Sequence, residues 1–240
     1  MNPTPFVSRF LVVVGGFCLA GAAPCAADDS APDATVPAGE NAAPVPFKEV
    51  IKNATQHRVL DFDTNNPAHL ELQNQLVKAA ALAGKRAASQ GLPRRRTGEA
   101  RSEIKNLVQA ALREAGLQIQ RLSTAANAGE SPEYPDFEIA GSVPCYLEVK
   151  TYNAGTAHGS QHTFHYSPSR PPRITRDALH FILAFQVERE RRDGETALVP
   201  IRWKLVTLED LSVTPRREFN QCNRELYHGS LKVLGEDVVE

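Results

Sequence analysis

A chain of 240 residues, 42% of them hydrophobic, has the material for one substantial core, so a single domain with extensions is the natural organisation. Its formal net charge of −1 excludes a molecule-wide positive field as the means of holding a polyanion. Any such contact must come from local clusters.

The N-terminus is predicted to be a targeting segment. Arg9 precedes an apolar run, Phe10 to Ala23, of signal-peptide length and too short to span a bilayer comfortably, and Cys25-Ala26-Ala27 offers small residues for cleavage after Ala27. Residues 1–27 therefore read as a signal peptide that leaves no stable membrane anchor once cleaved, and the mature chain as periplasmic or secreted. A mature terminus at Asp28 is the mark of that reading; its rival is a misassigned start codon and a cytoplasmic protein. Residues 28–46, rich in Ala, Pro, Asp and Gly with no apolar period, read as a disordered linker before a folded domain, 47–240. Cys18 and Cys25 leave with the signal, whereas Cys145 and Cys222 remain, to pair after export or to stay as buried thiols.

Phe47 to Val59 predicts a short helix, Asn65-Asn66-Pro67 a turn or helix start, and His69 to Ser89 a helix that Gly91-Leu92-Pro93 stops. Arg94, Arg95 and Arg96, with Lys85, Arg86 and Arg101 nearby, form a basic cluster that serves equally as a solvated loop or as a phosphate contact. Thr97 is a candidate cap for an amphipathic helix, Gly98 to Ala115, with the apolar stripe Ala100, Ile104, Leu107, Val108, Ala111 and Leu112 and an end at Gly116. Glu103 lies at the edge of that stripe, where a carboxylate can face inward; the alternative, at least as strong for Glu99, is a surface pairing with Lys105 or Arg101.

Leu117 to Leu122 alternates as a short strand, and a polar loop leads to Pro135. Two further strands are predicted at Asp136 to Ile139 and at Tyr146 to Tyr152. Alternation in the second puts Glu148 and Lys150 on one face and Leu147, Val149 and Thr151 on the other, with Cys145 packing on the side of Leu147. If the two strands are antiparallel neighbours, Asp136 comes beside Glu148, and two converging hard oxygen ligands suit Mg²⁺. Such an ion polarises a phosphate and acidifies a bound water, and Lys150 would orient that water or offset charge on the phosphate. Alone, Glu-x-Lys on a strand is more often a solubility pair. The Pro-Asp at a suitable distance, the two-strand context and the helix carboxylate upstream favour a site.

Beyond Tyr152, a polar segment carries His158, His162 and His165, a spacing that suggests zinc, but no nearby Cys pair completes the set, so a mobile loop near substrate is preferred. Arg170-Pro171-Pro172-Arg173 reads as extended and Thr175 to Ala178 as a turn or short helix. His180 to Glu190 reads as a strongly apolar strand, and Asp193-Gly194 as the hairpin turn before its partner, Ala197 to Thr207.

A helix with an inward Glu, a strand, Pro-Asp and then Glu-x-Lys resemble the PD-(D/E)xK nuclease family. Phe164 to Ser169, Ile174-Thr175-Arg176-Asp177-Ala178 with His180, and Glu218 to Tyr227 resemble segments of bacterial type II restriction endonucleases, so that the likeness spans roughly residues 98 to 228. The fold it implies is α/β and restriction-endonuclease-like: a central mixed sheet of about five strands flanked by helices, with the site at one edge where two strands diverge. The activity it implies is a Mg²⁺-dependent cut of double-stranded DNA, with Mn²⁺ as a substitute ion, leaving 5′-phosphate ends and often made by a homodimer. Carried over by position, Asp136 and Glu148 are metal carboxylates, Glu103 is the helix acid that joins them, and Lys150 is the catalytic lysine. The DNA contacts are assigned to Arg94, Arg95, Arg96, Arg170 and Arg173 and to the segment with Asn220, Asn223 and Arg224, the Asn-rich segment being better suited to base edges. The signal-like N-terminus departs from an intracellular restriction role and implies use on extracellular or incoming DNA. Two other readings stand beside this one. A catalytically silent DNA-binding or periplasmic binding module of the same fold is disfavoured by the presence of Asp136, Glu148 and Lys150, while no residue discriminates a nuclease acting on RNA or single strands.

Overall fold

The computed structural model describes residues 44–93, 97–122, 134–153, 163–165, 173–192, 194–213, 220–222 and 231–239. The signal-like segment and most of the linker lie outside them. The linker's last residues do not read as the sequence suggests: Val45–Pro46 form a short strand, β1, antiparallel to β9, Ser212–Val213, a pairing made with chain far away in sequence.

Among the described residues, three helices follow from local signals. In α1, Phe47–Thr55, Phe47 and Ile51 are buried one turn apart, and Gln56 ends the helix in the left-handed region at φ 65°. Pro67 opens α2, Pro67–Gln90, and the side chain of Asn66 caps it by accepting a hydrogen bond from the Ala68 N–H at 2.9 Å. Its buried stripe of Leu72, Leu76, Ala79, Ala80, Ala83 and Ala87 is mostly small, which lets the helix lie close on its neighbours. Gly91 adopts φ +70°, a conformation that other residues rarely take, and its N–H closes the last turn on the Ala87 carbonyl. In α3, Thr97–Glu114, the expected stripe is buried at Ala100, Ile104, Val108, Ala111 and Leu112, with Leu107 only partly covered.

The main sheet is mixed and takes the order β11-β8-β7-β5-β4-β3. Its strands are β3 (Gln118–Arg121), β4 (Phe137–Ala140), β5 (Cys145–Tyr152), β7 (Leu179–Arg192), β8 (Glu195–Thr207) and β11 (Val233–Val238), with β2 (Leu92–Pro93) paired to β8 off that path. The sheet is larger than the five strands expected, because the chain end returns as β11. Only β5 and β7 run parallel, in the register Cys145↔Leu179 through Tyr152↔Gln186; the other pairs are antiparallel. Separately, β6 (Thr163–His165) pairs with β10 (Asn220–Cys222), joining two of the stretches that carry the resemblance.

Both faces of the central strands are covered, which explains the unbroken apolar run of β7. On one face Leu147, Val149, Phe181, Leu183, Phe185, Trp203 and Leu205 pack with the stripes of α2 and α3. Each side chain of this size contributes about 1.5–3 kcal/mol by leaving water. Cys145 lies there as a buried free thiol, so no disulfide joins it to Cys222, and burial pushes its pKa up. On the other face Tyr146, Ile182, Ala184 and Val206 meet Phe47 and Ile51 of α1, together with Tyr134 and Ile174.

His180 is buried in this second layer. Its Nδ1 shares a 2.5 Å hydrogen bond with the Tyr134 hydroxyl, the two rings stack at 5.8 Å, and Nε2 has no partner. Burial pushes its pKa from 6.5 down to about 3, so the folded chain holds it neutral. Below 6.5 the unfolded chain binds a proton that the folded chain refuses, and stability falls with pH until about 3. The slope is about 1.4 kcal/mol per pH unit. Urea unfolding at pH 7 and pH 5 should therefore show a loss about 2 kcal/mol larger in the wild type than in His180→Phe. Equal losses in the two proteins would refute the assignment.

Candidate functional site

The antiparallel ladder between β4 and β5 runs Ile139↔Cys145, Glu138↔Tyr146, Phe137↔Leu147 and stops there, where the chain leaves the sheet through Asp136 and the cis Tyr134–Pro135 bond. One further step in register sets Asp136 opposite Glu148. The departure of β4 removes the strand partner that the next β5 donor needs, and the Asp136 side chain replaces it: Oδ2 accepts a hydrogen bond from the Val149 N–H at 2.9 Å. The other oxygen, Oδ1, accepts from Nζ of Lys105 on α3. Asp136 is fully buried and Lys105 is 4% exposed.

Glu148 is 2% exposed, and alternation along β5 turns it to the same face as Lys150. Its Oε1 pairs with the Lys150 ammonium at 2.7 Å, while its Oε2 is buried with no partner. Burial raises the pKa of this carboxyl, and the nearby charge of Asp136 raises it further; Lys150 and Lys105 pull the other way. Two carboxylates and two ammonium groups thus occupy one dry junction. An unmatched carboxylate oxygen beside a second carboxylate is costly there unless a further cation or donor meets it. The donor set fits a hard divalent ion, which takes one or two carboxylates and completes its shell with water or substrate oxygens.

The structure brings Asp136, Glu148 and Lys150 together. It does not bring Glu103 with them: that residue is partly exposed, and among the described residues no three His, Cys, Asp or Glu side chains converge as a metal-binding group. The α3 residue that meets Asp136 is Lys105, which the sequence reading named only in its alternative, as one of two possible surface partners for a glutamate of α3. Its signal was present in the spacing, since Lys105 precedes Val108 and Leu112 by three and seven residues and so shares their buried face. A second missed pair lies alongside: Glu138, 8% exposed, meets Arg176 at 2.9 Å.

Along the face that carries Lys150, the register continues to Tyr152, Gln186, Arg202 and Lys204. These residues border a recess of about 420 Å³, in which Lys204 pairs with Glu236 at 3.1 Å. Of the assigned DNA contacts, Arg94, Arg95, Arg96, Arg170, Asn223 and Arg224 lie outside the described residues, as do His158 and His162. Arg173 is half-buried beside the core residue Ile174, and Asn220 of β10 stands opposite His165 of β6.

Comparison with known proteins gives three findings. Residues 40–230 match the model of the Type II restriction enzyme MjaV family. The Type II restriction enzyme MjaV of Methanocaldococcus jannaschii is 28% identical over 212 residues, covering 81% of this chain and 90% of that protein. Among solved structures, the tetrameric restriction endonuclease SfiI bound to cognate DNA aligns with a TM-score of 0.38 and 12% identity, over 63% of this chain and 67% of that one.

Proposed function

The chain belongs to the Type II restriction enzyme MjaV family, and from that premise we propose that it hydrolyses phosphodiester bonds in double-stranded DNA with Mg²⁺, or Mn²⁺ in its place. The observation that carries the metal-dependent chemistry is the unpartnered, buried Oε2 of Glu148 opposite Asp136, one register step past the end of the β4–β5 ladder, with the Lys150 ammonium 2.7 Å from the other oxygen of Glu148. In this reading Glu148 and Asp136 hold the ion. When bound, the ion supplies polarisation of the scissile phosphate and a more acidic water.

The other tasks fall to the chain's own side chains. Lys150 is the more exposed partner of its ion pair, at 14% against 3%, so its ammonium can turn toward a phosphate oxygen and offset the charge that builds there. The junction itself is dry, Asp136 and Glu148 both being buried, which strengthens that charge interaction. Asp136 keeps its orientation because both oxygens are fixed, one by the β5 backbone and one by α3. Arg94, Arg95, Arg96, Arg170 and Arg173 are proposed for phosphates, and Asn220, Asn223 and Arg224 for base edges. A homodimer would place one site on each strand.

Incubating the full chain with plasmid DNA tests this reading. Discrete linear fragments with 5′-phosphate ends are expected in Mg²⁺ or Mn²⁺, and none in excess EDTA. Cutting that persists in EDTA would remove the ion from the mechanism, and cutting confined to RNA or single-stranded DNA would replace the substrate. The same digests with Asn220→Ala/Asn223→Ala report on base reading, which an unchanged fragment pattern and affinity would exclude.

A further inference from the structure

In the chemistry just described Lys105 only helps to fix Asp136 and meets neither ion nor phosphate, yet it occupies a costly position in the molecule. An ammonium 4% exposed in the middle of a helix is tolerated only where a charge answers it. The answering group is Asp136 Oδ1, and the charge of Lys105 also reaches Glu148. The two carboxylates therefore differ in what they can still bind. Both oxygens of Asp136 are engaged, by Lys105 and by the Val149 N–H, whereas Glu148 keeps one oxygen without a partner.

Nuclease sites that use two divalent ions clamp the attacking and leaving oxygens between ions about 4 Å apart, and each ion needs several oxygen ligands of its own. The described residues offer two carboxylates at this junction, not three, and a fixed ammonium beside the first of them. We propose that Lys105 is a built-in cation standing where a second metal ion would otherwise be held, so that each active site takes a single divalent ion, on the Glu148 side, and that Lys105 acts as a positioning residue by holding Asp136 toward it. This deepens the metal-dependent reading above and rests on it.

The test counts ions directly. Free Mn²⁺ is measured by electron paramagnetic resonance in titrations of the full chain, with and without plasmid DNA, for the wild type, Lys105→Gln and Lys105→Glu. The wild type should bind one ion per chain. Lys105→Gln keeps a donor for Asp136 but removes a positive charge from the ion's neighbourhood, and should bind that ion at least about tenfold more tightly. Lys105→Glu supplies a third carboxylate and should admit a second ion. Two ions per wild-type chain, or an unchanged affinity in Lys105→Gln, would overturn the proposal while leaving a metal-dependent nuclease intact. No ion bound by a wild type that also fails to cut DNA in Mg²⁺ would remove both. The wild-type count needs no variant to fold, so the proposal stays exposed to refutation even if Lys105→Glu is unstable.

Discussion

Glu148→Gln is expected to lower DNA cleavage by about 10³-fold or more while leaving thermal stability at pH 7 unchanged or higher. The two halves of that result have one origin. Glu148 is buried with one oxygen unmatched, and burial and Asp136 together raise its pKa. A carboxyl whose folded pKa lies above its unfolded value loses stabilisation as pH rises from 4.5 through the folded pKa, so its ionised form at neutral pH is a burden on the fold. Glutamine has the same shape without the charge. It relieves the burden and discards the anionic ligand, and Lys150, the more exposed partner, turns to solvent. Lys150→Ala should show the same loss of cutting. Wild-type cleavage in either variant would take that residue out of the site, and loss of cooperative melting would show that the effect was structural.

Asp136→Ala should also abolish cutting, but at a cost in stability of about 3–5 kcal/mol, because it strands the buried Lys105 ammonium. It also leaves the Val149 N–H without its acceptor, a further loss of about 1–3 kcal/mol for a buried donor. Asp136→Asn retains an acceptor for Val149 and should recover part of the second loss. Asp136→Ala/Lys105→Met removes both charges and should recover most of the first while remaining inactive. Urea denaturation of the four proteins separates these contributions. If Asp136→Ala were as stable as the wild type, or the double variant no better than the single, the pairing would have no energetic weight.

Much of this geometry is written in short-range pattern. The period of two through Cys145–Tyr152 assigns Glu148 and Lys150 to one face because each strand residue must turn opposite its neighbour. Asn66-Pro67 marks a helix start because the side-chain acceptor and the missing N–H both suit a helix's first turn. What sequence does not display is which distant elements meet. Glu103 and Lys105 differ by about 200° around α3 at 3.6 residues per turn, so choosing between them requires knowing which face α3 turns to the end of β4. The same limit hid the pairing of Val45–Pro46 with Ser212–Val213, which turned the end of a Pro-rich linker into a strand, and the meeting of Glu138 with Arg176.

The parallel seam between β5 and β7 also has a consequence in time. Hairpins such as β4–β5 close within about 1–10 μs from neighbouring chain, whereas a parallel pair must wait for its crossover to be synthesised and closed. During translation Asp136, Glu148 and Lys150 therefore emerge together on one early hairpin, still wet and without the neighbouring strand that β7 later provides. The nascent enzyme is expected to stay latent until that seam zips, and its cutting power to arrive as a single late event in maturation.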